Sequence, residues 1–249
     1  MLFYIPFFLC WGSFLNVLAY RLITQDSLLK SRSFCPHCKN TILWYDNIPL
    51  FSWFFLLGKC RFCKKNISWL YPFVELLTTI LCTCLYLFIP HHYFLAYFIC
   101  ISALLVTLRS DIETMLISRY VTLYLVPLMF ILSSYNKLPI SFGESVFGAL
   151  FGYFFLFIIN HLFKYFTRKD GIGEGDFDLL CFIGSFTGIV GCWASVTIGS
   201  TVGSFCGLSY LLYARYTKQA ANPQIPFGPF LAIGAILYIF FNTHILLFF

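Results

Sequence analysis

Runs of about 20 apolar residues, the length that crosses a hydrocarbon core, recur along this chain and restrict its possible folds more than any other feature. Inside a bilayer the backbone must satisfy its own hydrogen bonds, so only helices and closed barrels can span it. The runs are continuous rather than alternating, which selects helices over a barrel. Composition agrees: 60% hydrophobic and only 10% charged residues exclude an ordinary soluble domain. The expected fold is an all-α polytopic membrane protein in a lipid bilayer, with about eight transmembrane helices. The first covers residues 1–20 and is read as a retained helix entering from outside, since no basic region precedes its apolar core. Length and punctuation place the others at 70–89, 93–109, 118–134, 142–163, 176–190, 192–213 and 227–248.

The chain thus divides into a first helix, a polar loop at 21–69 and a seven-helix core at 70–249. The loop carries Arg21, Lys30, Arg32, Lys39, Lys59, Arg61, Lys64 and Lys65 against Asp26 and Asp46, an imbalance that places it in the cytoplasm. Sidedness extends to the rest: of 16 basic residues, only Lys137 falls on the outer side. The formal charge of +6 is therefore a topology signal, and no nucleic-acid motif accompanies it. Within the loop, residues 48–57 are apolar but too short to span, and are expected on the membrane face or under the surrounding module.

Of 11 cysteines, seven lie in apolar segments and read as small hydrophobes. The other four form two Cys-x-x-Cys pairs, Cys35/Cys38 and Cys60/Cys63, separated by 21 residues. That is close to the four-cysteine zinc pattern, with a slightly long gap. Four thiolates close a tetrahedral shell, so the zinc would be structural, in a cytoplasmic knuckle loop between helices 1 and 2. His37 reads as a bystander. A metal-free reduced loop and a redox pair are the other readings.

Two acids stand at junctions of apolar segments. Asp176 follows the glycine-rich Gly171-Ile172-Gly173-Glu174-Gly175, and Asp111 lies in Arg109-Ser110-Asp111-Ile112-Glu113. Acids at a helix mouth in a membrane protein are costly and point to function. Both fall on the cytoplasmic side, so a proton-sharing pair that hydrolyses a peptide bond is available to them. The bland alternative is helix N-capping, which Asp favours. Glu113, Glu174 and Asp178 compete for the acid roles, and Glu75 is a further polar anomaly, open to pairing with Arg21 or to a ligand site. A transporter using membrane acids, and a non-enzymatic assembly protein with structural zinc, are the rival functions.

Several short runs, in order, resemble the type IV prepilin leader peptidase and N-methyltransferase family, of the GxGD aspartic protease class. They are Gly12-Ser13-Phe14-Leu15-Asn16-Val17 with Tyr20-Arg21, then Asn47-Ile48-Pro49 with Ser52-Trp53 and Gly58 between the cysteine pairs. Tyr71-Pro72-Phe73-Val74-Glu75-Leu76, Gly173-Glu174-Gly175-Asp176 and Ile225-Pro226-Phe227-Gly228-Pro229 follow. The resemblance implies Asp111 and Asp176 as catalytic aspartates, with Gly173 and Gly175 in the active-site loop. It implies cleavage of prepilins and pseudopilins at the cytoplasmic face of the bacterial inner membrane. The new N-terminus is then methylated with S-adenosyl-L-methionine as donor. The cysteine loop favours the bifunctional type over a peptidase-only relative. The chain departs from the pattern twice. Ile117-Ser118-Arg119 stands where Ile-Pro-Asp is common, and Asp178 stands where lysine is frequent. The second change puts a negative neighbour beside Asp176 and is expected to disfavour its ionised form.

Overall fold

A computed structural model describes residues 4–24, 33–168, 171–217 and 226–248. Lys30, Arg32, Lys169 and Lys218, which contribute to the sidedness argument, lie outside the described residues, as do Asp26 and Ile225. The described secondary structure is helical, with no strand beyond two isolated bridges. Five helices are long and apolar enough to cross a membrane: Tyr4–Thr24, Leu70–Phe88, His91–Thr114, Phe142–Thr167 and Glu174–Thr217. The chain forms two compact units, residues 1–87 and 88–249.

In the first unit, α1 (Tyr4–Thr24) and α3 (Leu70–Phe88) flank the four-cysteine loop, which holds the short α2 (Phe51–Phe55). A Cβ on Gly12 would lie 2.9 Å from Glu75 Cα, so glycine permits α1 and α3 to touch backbone to backbone. Asn16 Nδ2 then donates to the Tyr71 carbonyl at 3.1 Å. Glu75, left open by the sequence, accepts the Leu50 N–H at 2.8 Å and a hydrogen bond from Ser13. It therefore ties the start of α2 to α3, and two of the short sequence runs meet Leu50, which follows a third, at one buried carboxylate. The 48–57 insert packs in part under the cysteine module, as one of its two expectations had it. Trp53 Nε1 donates to the Ile67 carbonyl at 3.3 Å inside the module, while Phe51, Phe54, Phe55 and Leu57 are exposed as an apolar surface.

In the second unit, α4 (His91–Thr114) is buried without a break from Cys100 to Asp111, and so forms the centre of its bundle. It ends at Met115, which is left-handed (φ 56°) and returns its N–H to the Asp111 carbonyl at 2.9 Å. The next stretch corrects the helix expected at 118–134. It consists of 3₁₀ turns at Arg119–Val121 and Leu123–Leu125, then α5 (Val126–Ser134). Thr122 is non-helical (φ −121°, ψ −91°), and Pro127 stands in the first turn of α5, where its missing N–H costs least. A capping box of Ser141 and Glu144 opens α6 (Phe142–Thr167).

The long run α7 (Glu174–Thr217) is not straight. Gly188 adopts φ 71°, ψ −172°, a conformation open to glycine. Residues 12 apart in a straight helix are about 18 Å apart along its axis. Here Cys192 Sγ is 3.8 Å from the Leu180 carbonyl oxygen, so the chain doubles back at Gly188 into two arms. These arms match the two segments expected at 176–190 and 192–213. The first lies on α6, where a methyl on Gly148 or Gly152 would strike the backbone of Gly184 or Leu180. The second lies on α8 (Gly228–Phe248): a Cβ on Gly234 would come within 2.6 Å of the Ser195 carbonyl oxygen.

Candidate active site and metal centre

The ends of α4, α7 and α8 meet at one end of the second unit. Asp111 occupies the last turn of α4, not an N-cap, so the capping explanation does not apply to it. A carboxylate at a helix C-terminus opposes the macrodipole, so its place there needs another cause. Part of that cause is Gly228, the first residue of α8, whose N–H donates to Asp111 Oδ2 at 3.0 Å. The fit requires glycine, since a Cβ on Gly228 would sit 2.7 Å from that oxygen. Asp176 lies in the first turn of α7, donates its backbone N–H to the Gly173 carbonyl at 3.1 Å, and is 9% exposed. Asp111 is 5% exposed, and it is the charged neighbour that acts electrostatically on Asp176.

The rival acids are engaged elsewhere. Glu113 pairs with buried Arg109 one turn earlier on α4, Nη1 to Oε2 at 2.6 Å. Asp178 takes Arg119 Nε at 2.9 Å, and Glu174 takes Arg119 Nη2 at 3.3 Å. The negative neighbour expected to burden Asp176 therefore carries its own cation. Among the described acids at these helix ends, no salt bridge engages Asp111 or Asp176.

The loop before α7 is held by a residue the sequence reading passed over. Asn160 Oδ1, on α6, accepts the N–H groups of Gly171 and Ile172 at 3.0 and 3.1 Å. An amide inside a helix long and apolar enough to span a membrane was the available signal. Gly175 has a steric reason, because a Cβ there would lie 2.9 Å from Ile117 Cβ. Gly173 is less constrained, with a Cβ placed 3.6 Å from Asp176 Oδ2. Replacing Asn160 with Leu removes both acceptor contacts. At about 1 kcal/mol each, their loss should slow any reaction that depends on this loop about ten-fold or more. Turnover of Asn160→Leu against the parent, with thermal unfolding in detergent as control, measures this.

In the first unit, Cys35, Cys38, Cys60 and Cys63 bring their sulfurs within 4.8 Å of one another. Cys35 and Cys63 are 3.9 Å apart at sulfur, close to the roughly 3.8 Å edge of a tetrahedron with metal–sulfur bonds of about 2.3 Å. The two knuckles repeat one geometry. Lys39 and Lys64 are left-handed and return N–H groups to the Cys35 and Cys60 carbonyls, at 2.9 and 3.0 Å. Backbone N–H donation, first from Cys63, lowers the Cys60 thiol to about 7. At Cys38 the Asn40 N–H acts downward, but burial and the three other thiols together hold the group up at about 11. Four thiols so close cannot all ionise unaided, and a divalent cation is what lets them do so. The residues fit zinc, held by all four sulfurs, with no position left open for catalysis.

A bundle of helices long and apolar enough to span a membrane, with two buried aspartates at the helix ends of one unit and a four-cysteine cluster in the other, defines a multi-pass membrane protein. Comparison with known families makes this specific. Residues 98–248 match the type IV leader peptidase family, and residues 7–89 match the bacterial peptidase A24 N-terminal domain. The chain belongs to the type IV leader peptidase family. It is 33% identical to the prepilin leader peptidase/N-methyltransferase of Aeromonas hydrophila, over 96% of this chain and 90% of that one. It is 34% identical to the protein of that name from Pectobacterium carotovorum subsp. carotovorum, over 93% and 89%. The type 4 prepilin-like proteins leader peptide-processing enzyme of Escherichia coli O78:H11 (strain H10407 / ETEC) is 32% identical over 93% and 90%. No solved structure matches the chain.

Proposed function

We propose that the chain is a multi-pass enzyme of the bacterial inner membrane that removes the leader from type IV prepilins and pseudopilins. It then methylates the new N-terminal amine, with S-adenosyl-L-methionine as donor. The observation that carries the peptidase reading is the convergence of Asp111, Asp176 and the Gly228 N–H at the ends of three helices. Two neighbouring carboxylates share one proton. The Gly228 N–H donates directly to the Asp111 carboxylate, a bond that favours its ionised form, so we assign the charge to Asp111 and the proton to Asp176. Asp111 takes a proton from water as that water attacks the scissile carbonyl, and Asp176 donates a hydrogen bond to the carbonyl oxygen. Collapse of the tetrahedral intermediate releases the leader and a free amine on the pilin.

The topology that serves this chemistry has eight crossings: α1, α3, α4, the 119–134 stretch, α6, the two arms of α7, and α8. The four-cysteine loop, Asp111 and Asp176 then face the cytoplasm, as the basic residues favour. An apolar pilin helix can lie among the enzyme's helices with its polar leader at that edge. The loop at 21–69 is the part associated with methyl transfer, and the zinc it holds fixes its fold.

Purified protein incubated with a prepilin and methyl-labelled S-adenosylmethionine should release the leader and label only the processed pilin. Elemental analysis of the same preparation should find about one zinc per chain. Leader release without label would reduce the protein to a peptidase, and no release would remove the enzymatic reading. Freely alkylated loop cysteines in the native protein would count against zinc.

A further inference from the structure

We propose that Arg119 is a positioning residue for Asp176, gripping the back of the helical turn whose front carries that aspartate. This rests on the reading of Asp176 as catalytic. Glu174 and Asp178 are four residues apart on α7 and so share one face of the helix. Asp176 lies midway between them, about 200° around the helix from each and so on the opposite side. Arg119 reaches both flanking acids, with Nε 2.9 Å from Asp178 Oδ2 and Nη2 3.3 Å from Glu174 Oε2.

The segment bearing Arg119 also touches the other half of the site. Ile117, two residues earlier, is the side chain that a Cβ on Gly175 would strike, and one on Gly228 would lie 3.0 Å from its Cδ1. Ile117–Arg119 is thus a strap between the Asp176 turn and the helix end that holds Asp111. The two departures from the family's pattern, Arg119 and Asp178, are the two ends of one ion pair. The pair has asymmetric surroundings: the Asp178 side chain is 5% exposed and that of Arg119 57%. Without Arg119, the Asp178 carboxylate would be shielded from water with no cation against it.

The arrangement also sets the charge around the dyad. Asp176 is faced by Asp111 from α4, while Glu174 and Asp178 lie behind it on its own helix with Arg119 from the strap against them. Glu113, further along α4, is held by Arg109. Removing the Arg119 cation leaves two acids uncompensated beside a pair that must keep one proton, which moves the working pH range upward.

The test is a charge swap with prepilin as substrate. Arg119→Gln should lower kcat about ten-fold or more through misplacement of Asp176, change KM little, and move the pH optimum upward. Arg119→Asp and Asp178→Lys should each be at least as damaging, and the double variant R119D/D178K should recover to within a few-fold of the parent with its pH optimum restored. A double variant no better than the worse single one overturns the proposal. So does an Arg119→Gln enzyme with the parent's rate and pH profile, or a rate loss that follows thermal unfolding with the profile unmoved. Asp176→Asn is assayed alongside: retained cleavage there defeats the catalytic reading itself, whatever the swap does.

Discussion

Asp111→Asn and Asp176→Asn should each reduce leader cleavage about 10³-fold or more, while methyl transfer to a pilin already freed of its leader continues. The amide preserves the shape and most hydrogen bonds of either side chain. Asn at 111 can still accept the Gly228 N–H, so the joint between α4 and α8 survives. What it lacks is a group that accepts a proton from water. Asn at 176 can still donate to a carbonyl, but it cannot exchange a proton with a neighbour through the cycle. The loss should therefore fall on kcat with little change in KM. Leader release is followed by gel shift on purified protein, with labelled methyl transfer as an internal control for folding. Cleavage at the parent rate in either variant would sink the dyad, and joint loss of both activities would point to misfolding.

Much of this site was legible in the chain because each element has a local cause. The apolar runs could only be helices, and the four cysteines carried their spacing openly. The long run after Asp176 was legible as two segments because it is too long for a single crossing, although the turn falls at Gly188 rather than at Gly191. Two classes of feature were not legible. One is the state of residues 118–134, where hydropathy gave a helix but Thr122 and Pro127 break it into turns and a short helix. Hydropathy reports where a segment is at home, not which backbone it adopts. The other class is pairing across long sequence separations. Asp178 read alone was a burden to Asp176, and only coordinates place Arg119, 59 residues earlier, against it. Gly228 is 117 residues from Asp111, and its N–H carries no side-chain signature at all. Asn160 was visible as a polar residue in an apolar helix, yet its partners are backbone groups that no composition announces.

The second large effect is expected far from any acid. Gly152→Leu should prevent accumulation of folded protein, because its first atom already overlaps the facing backbone and the three carbons beyond it widen the gap that the helices would have to open. A Cβ on Gly152 strikes the Leu180 carbonyl and peptide, and backbone within a helix cannot rotate away as a side chain can. Gly148 repeats the contact one turn earlier on α6, against the backbone at Gly184, so the two helices touch at two successive points and can accommodate an added atom only by moving apart. Close backbone approach is also the main source of association in lipid, where apolar side chains gain nothing by leaving the bilayer for each other. Gly152→Ala is the more informative variant. It should fold, with α7 displaced near Leu180, one turn from Asp176. A displacement of about 1 Å there costs a reaction up to about 100-fold. Cleavage should thus fall further than thermal stability in Gly152→Ala, whereas Gly152→Leu should lose both. A Gly152→Leu protein that accumulates, unfolds at the parent temperature and cleaves normally would mean that α6 and the first arm of α7 do not touch there.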